Sequence, residues 1–185
     1  MYVSTLDYVT IAATGNAQDF GDLTAANGFC ATGASSTRGI WGPGNGDATT
    51  ICFITISTLG NAADFGDTTD SRYQWSGGIS SNSTRFVMGG GEDYTPGTKV
   101  NIIDYVEIAT LGNAIDFGDL TTGRSTVASL SSSTRIAFAG GHTPTIVNTI
   151  DYVQIMSTGN AIDFGDVNSV FASGGSVSNG HGGLG

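Results

Sequence analysis

The residues best able to do chemistry recur as a set. Asp-Phe-Gly-Asp occurs four times, with first aspartates at Asp19, Asp64, Asp116 and Asp163, and each copy follows Gly-Asn-Ala after one variable residue. Two carboxylates three positions apart invite a metal: the magnesium-holding aspartate of a kinase, or a calcium loop. The kinase reading fails on context, because the motif repeats, the only lysine is Lys99, and no phosphate-cradling glycine loop precedes a strand lysine. Calcium takes about six to eight oxygens, and the run lacks the alternating oxygen ligands of an EF-hand. No cofactor or dedicated metal is therefore expected, with weak calcium binding the most these acids support. The motif reads instead as a turn, in which Asn16, Asn61, Asn113 and Asn160 bond to the local backbone or adopt positive φ.

The remaining reactive side chains are sparse. His142 and His181 are the only histidines, in different repeats, and neither has a Ser or Cys nucleophile at a defined elbow, so no enzyme is expected. Cys30 and Cys52 fall in the expected first and third strands of one unit; strands two apart lie about 9–10 Å from each other, which predicts two free, buried thiols. Arg38, Arg85 and Arg135 each follow Ser-Thr, just before a second strand, while Asp104 and Asp151 begin third strands. Repeated pairs of Arg85 with Asp104 and Arg135 with Asp151 are the natural expectation, a guanidinium fork meeting a carboxylate. Cys52 replaces the acid in the first whole unit, so Arg38 must find another partner there; Asp7 has no arginine in its partner half-unit, where His181 is nearest.

The elements that position these residues follow the same period. Gly-Asn-Ala starts at Gly15, Gly60, Gly112 and Gly159, at intervals of 45, 52 and 47 residues. Upstream of each lies an alternating β-branched and aromatic stretch, at 6–11, 51–56, 103–108 and 150–155, which reads as a strand. A second strand is expected after each Ser-Thr-Arg, a weaker first strand at 28–32, 72–76 and 124–129, and a fourth around Asp-Phe-Gly-Asp. Four short strands at this period are a β-propeller blade. The fold class is all-β, a single repeat domain: a half blade at 1–23 (strands three and four), blades at 24–67, 68–119 and 120–166, and a half blade at 167–185 (strands one and two). The two half blades join to close a four-bladed ring; the alternative is an open array of blades completed by oligomerisation.

Composition bounds the partners. With 6 basic and 16 acidic residues the formal charge is -10, which repels nucleic acid and anionic lipid. The sequence has no apolar run long enough to span a membrane and no signal-peptide pattern, so neither membrane insertion nor a secretory signal is expected.

Strand, Gly-Asn-Ala-x-Asp-Phe-Gly-Asp, an arginine as at Arg72 and Arg124, then Ser-Thr-Arg, apolar residues and Gly-Gly resembles the kelch-like repeats of bacteriophage virion proteins, particularly phages of marine and cyanobacterial hosts. The resemblance covers the whole chain in four registers. It implies a non-enzymatic virion component, a tail-fibre, receptor-binding or capsid-decoration protein, with other virion proteins as partners and self-association allowed. The first whole unit departs from it, with Gly42-Pro43-Gly44 in place of Gly-Gly. Residues that break the repeat mark the binding surface, and they cluster between second and third strands: Trp41, Asp47, Glu92, Asp93, Tyr94 and His142. In a propeller these loops share one face, where they would recognise a host surface glycan or protein. The alternative is a purely structural subunit without a ligand.

Overall fold

A computed structural model of the chain describes residues 2–30, 32–44, 49–73, 78–93 and 97–175. Sixteen strands run in chain order: β1 (Val3–Tyr8), β2 (Gln18–Asn27), β3 (Thr32–Ala34), β4 (Arg38–Trp41), β5 (Thr50–Thr55), β6 (Ala63–Asp67), β7 (Arg72–Tyr73), β8 (Ile79–Ser81), β9 (Arg85–Gly89), β10 (Glu92–Asp93), β11 (Ile102–Glu107), β12 (Ile115–Asp119), β13 (Ala128–Ser131), β14 (Arg135–Ala139), β15 (Thr149–Gln154) and β16 (Ile162–Asp166). They form three four-stranded antiparallel sheets: sheet I (β3-β4-β5-β6), sheet II (β8-β9-β11-β12) and sheet III (β13-β14-β15-β16). A β1–β2 hairpin precedes sheet I, and β7 pairs with β10 beside sheet II. The all-β expectation and the four-strand unit hold.

Each sheet is an antiparallel meander, with β10 set in the longer connection between β9 and β11, and successive residues of each strand alternate between its two faces. The third strands carry the same irregularity: a bulge between Leu6 and Asp7, Ile51 and Cys52, Ile103 and Asp104, and Ile150 and Asp151. Opposite each bulge sits the Phe-Gly of Asp-Phe-Gly-Asp. The first strands begin later than expected, at Thr32, Ile79 and Ala128, and β2 runs across the expected boundary at 23/24. The reason is local. Phe29 and Thr126 adopt positive φ, 59° and 54°, which interrupts an extended run, and Arg72 and Arg124 are drawn inward instead of lying along a first strand.

The sheets stack face to face. Ile40, Ile51 and Phe65 of sheet I pack with Ile79, Phe86, Met88 and Val106 of sheet II. The opposite side of sheet II, through Val87, Ile103, Tyr105 and Phe117, packs with Ile136, Phe138 and Val153 of sheet III. The leading strands β3, β8 and β13 contact one another in turn. The sheet III end is uncovered: a Cβ built on Gly165 would touch nothing within 4 Å, where one on Gly21, Gly66 or Gly118 meets the next unit's glycine carbonyl. Among the described residues, then, the last Asp-Phe-Gly-Asp is not clasped to the first Gly-Asn-Ala and no closed four-bladed ring is formed; residues 176–185 of the expected C-terminal half blade lie outside the described residues.

Candidate functional site

The repeated residues serve the joints between sheets. At each joint the Phe carbonyl of Asp-Phe-Gly-Asp accepts the amide of the next unit's Gly-Asn-Ala glycine: Gly60 to Phe20 at 2.8 Å, Gly112 to Phe65 at 2.9 Å and Gly159 to Phe117 at 2.7 Å. Two positions on, Ala62, Ala114 and Ala161 donate to the carbonyls of Asp22, Asp67 and Asp119, each at 2.7 Å. The asparagines complete the clasp, Asn61, Asn113 and Asn160 accepting the amides of Asp22, Asp67 and Asp119 at 3.1, 3.1 and 3.2 Å. Asn61, Asn113 and Asn160 therefore do not bond their own turn, as expected from sequence, but the sheet before. Asn16, the fourth, carries no such bond among the described residues.

Glycine is required in the middle of this clasp. Gly21, Gly66 and Gly118 have φ of 146°, 146° and 142°, and a Cβ on any of them would overlap the carbonyl of Gly60, Gly112 or Gly159. The first aspartates stabilise the bulge: Asp64, Asp116 and Asp163 accept the amides of Gly66, Gly118 and Gly165 at 3.1, 3.2 and 3.1 Å. One oxygen of each carboxylate is thereby engaged, and among the described residues no group of three or more His, Cys, Asp or Glu is placed to hold a metal ion.

The arginine–aspartate pairs differ from expectation. Asp104 and Asp151 are fully buried and bind Arg72 and Arg124, at 2.9 and 2.8 Å, not Arg85 and Arg135. Register explains the change. Arg85 lies opposite Glu107 and Met88 opposite Asp104; Arg135 lies opposite Gln154 and Phe138 opposite Asp151. Each expected partner is thus three positions along the ladder, about 10 Å away. Thr69 and Thr121 hydroxyls add bonds to the same two acids at 2.6 and 2.7 Å. Burial pulls both guanidinium groups below their usual range, against the opposing attraction of Asp104 and Asp151. Sheet I keeps the threonine, Thr24, bonded to Cys52, and replaces the charges: Cys52 stands for the acid and Asn27 for the arginine.

The Ser-Thr-Arg arginines have two other roles. Arg38, Arg85 and Arg135 lie over the rings of Phe53, Tyr105 and Tyr152, 4.8, 4.3 and 5.1 Å from their centroids. Arg85 also pairs with Glu107 at 2.7 Å, and Arg135 bonds Gln154 at 3.1 Å. Arg38 finds the partner its sequence left open in the next sheet, the Ile108 carbonyl at 2.6 Å, and Arg85 reaches Ile155 in the same way at 2.9 Å.

The non-repeating residues divide. Glu92 and His142 line one open depression of about 350 Å³ with Lys99, Ser125, Thr126 and Ile146. Lys99 pairs with Glu92 at 2.7 Å, and the His142 backbone exchanges bonds with Ser125 at 2.8 and 3.0 Å, which fixes both sides of the depression. Asp93 lies in β10 opposite Arg72 and outside that lining. Trp41 is not a loop residue: it ends β4 opposite Cys52, at the position occupied by the fully buried Met88 and Phe138 in the other sheets, and it lines an apolar groove against Leu6 and Tyr8 of the hairpin. Asp47, Tyr94 and His181 lie outside the described residues. Sequence reasoning missed Lys99 as a site residue, although it is the only lysine and sits in the same loop as Glu92; nothing in the sequence singled out Ser125.

Cys30 is half-buried and precedes β3 rather than lying in it, and Cys52 is buried in β5; both thiols are free. Burial raises both above the ordinary thiol range. No family model matches the chain, and no curated protein matches it.

Proposed function

We propose that the chain is a non-catalytic binding module of a phage particle, its sheets the blades of a propeller, and that the loops between second and third strands recognise a host surface glycan or protein. One observation carries the binding reading. Glu92, Lys99 and His142 break the repeat, come from the loops of two different repeat units, and converge on one depression, whereas the repeated acids and arginines are spent on the framework. A carboxylate, an ammonium and an imidazole over an apolar floor suit the hydroxyls and ring faces of a sugar. The side-by-side leading strands support the propeller reading, and the repeat resemblance alone supports the phage particle.

The test is binding to an array of bacterial surface polysaccharides by the wild type, His142→Ala and Glu92→Gln. The reading predicts binding by the wild type that either change weakens about 10-fold, the equivalent of one lost charged hydrogen bond. No binding, or binding indifferent to both changes, would remove the depression from consideration. A second reading, an assembly subunit without a ligand, is favoured by the large apolar residues exposed at both ends of the row, Val9 and Ile11 at one and Phe164 at the other.

A further inference from the structure

The clasp that joins consecutive sheets is present three times complete and once as two separated halves. At the sheet III end, Phe164 is 61% exposed, where Phe20, Phe65 and Phe117 are 8%, 3% and 2% exposed. At the hairpin end, Ile11 is 98% exposed, where its counterparts Ile56, Ile108 and Ile155 are 45%, 2% and 0% exposed. Gly165 has the bulge φ of 131° and open space where its counterparts meet a glycine carbonyl.

We infer that these halves belong together on different molecules: the sheet III face of one copy of this chain binds the hairpin face of a second copy, head to tail. The contact continues the internal interface, which specifies its clasp bonds; the one departure is Phe171, which stands where Arg72 and Arg124 stand. The Gly15 amide takes the Phe164 carbonyl, the Ala17 amide takes the Asp166 carbonyl, and Asn16 Oδ1 takes the Asp166 amide. Each repeats a bond seen at all three internal joints. Arg135 reaches the Ile11 carbonyl, as Arg38 reaches Ile108 and Arg85 reaches Ile155. Asn168 stands where Thr69 and Thr121 stand and donates its amide to Asp7, the counterpart of Asp104 and Asp151. The apolar filling is present too, Ala137, Ile150, Tyr152 and Phe164 on one side against Val9 and Ile11 on the other.

A face that meets a different face is heterologous, so it propagates to a ring or a filament and does not stop at a twofold dimer. The joint uses no residue of the loop depression, and its outcome is independent of any ligand.

The test uses the 185-residue chain and two variants, Ile11→Asp to disable one face and Phe164→Glu to disable the other, with absolute mass read by light scattering across a concentration series. The wild type should rise above 18.8 kDa with concentration. Each variant alone should stay at monomer mass, with its dissociation constant raised about 100-fold or more by a buried charge. Mixed together, the two should form a 1:1 pair of twice that mass and go no further, since each retains the face the other lacks. Asn16→Ala, a milder change at an exposed position, should weaken association without altering the melting temperature. A wild type that stays monomeric at every concentration, whether open or closed on itself, would overturn the inference, and so would a mixture that fails to pair or an Ile11→Asp chain that still assembles.

Discussion

Asp104 and Asp151 show how side chains that look catalytic become framework. Each is fully buried against an arginine and a threonine hydroxyl, and Arg72 Nε and Nη1 and Arg124 Nε have no hydrogen-bond partner among the described residues. Removing one member of such a pair strands the other charge. Arg124→Ala should cost about 3–5 kcal/mol, read as a fall of about 10 °C in melting temperature, whereas the double change Arg124→Met with Asp151→Leu should recover most of it. A double variant as unstable as the single would refute this account of the pair. The thiols give a pH dependence. Burial raises Cys30 and Cys52, so the folded state holds these protons more tightly than the unfolded chain. Their contribution is present below about pH 8.5, the unfolded value, and is lost as pH climbs through the raised folded value. The urea midpoint should therefore fall more between pH 8 and pH 10 for the wild type than for Cys52→Ala; equal falls would contradict it. At this scale the sequence showed that arginines and acids recur together but mispaired them, because pairing depends on the register between second and third strands, which no spacing reveals.

Among elements, the Asp-Phe-Gly-Asp bulge and Gly-Asn-Ala turn act as one device shared by two sheets. Gly118→Ala places a methyl onto the Gly159 backbone at a φ of 142° and should destabilise by several kcal/mol, about the sum of positive-φ strain and a lost close contact. Gly15→Ala meets nothing within 4 Å and should be silent in a dilute melt. Equal effects of the two would mean that the clasp does not bear on stability. The third strands were legible in the sequence to within a residue in three of four units, since alternation and β-branching report burial directly. The first strands were not, because the arginines inside the apparent strands are buried against Asp104 and Asp151, Arg72 from the short strand β7 and Arg124 from a linker. The asparagines were read as local turn residues for a related reason: a partner some 40–50 residues away leaves no mark in a short window. Only the fixed spacing of Gly-Asn-Ala to Asp-Phe-Gly-Asp carried that signal.

The whole molecule is a row of sheets, each burying a face of its neighbour, and its stability is therefore a sum of nearest-neighbour terms with unsatisfied faces at the two ends. A formal charge of -10 opposes any contact between copies, so head-to-tail association should strengthen as ionic strength rises from about 0.05 to 0.5 M, where the screening length shrinks to a few ångströms. Weakening with salt would argue for an ionic contact of another kind. The period announced the repeat and the all-β class; closure was illegible, because a ring and an open row have the same repeat and differ only in whether the last unit finds the first. The most direct test of the clasp is residue-resolved amide exchange by NMR on dilute and concentrated protein. Gly60, Gly112 and Gly159 should be protected at both concentrations, while Gly15 exchanges freely when dilute and slows when concentrated. Exchange at Gly112 and Gly159 as fast as at Gly15 in dilute solution would contradict the joint between sheets, and with it the account of how this chain is built.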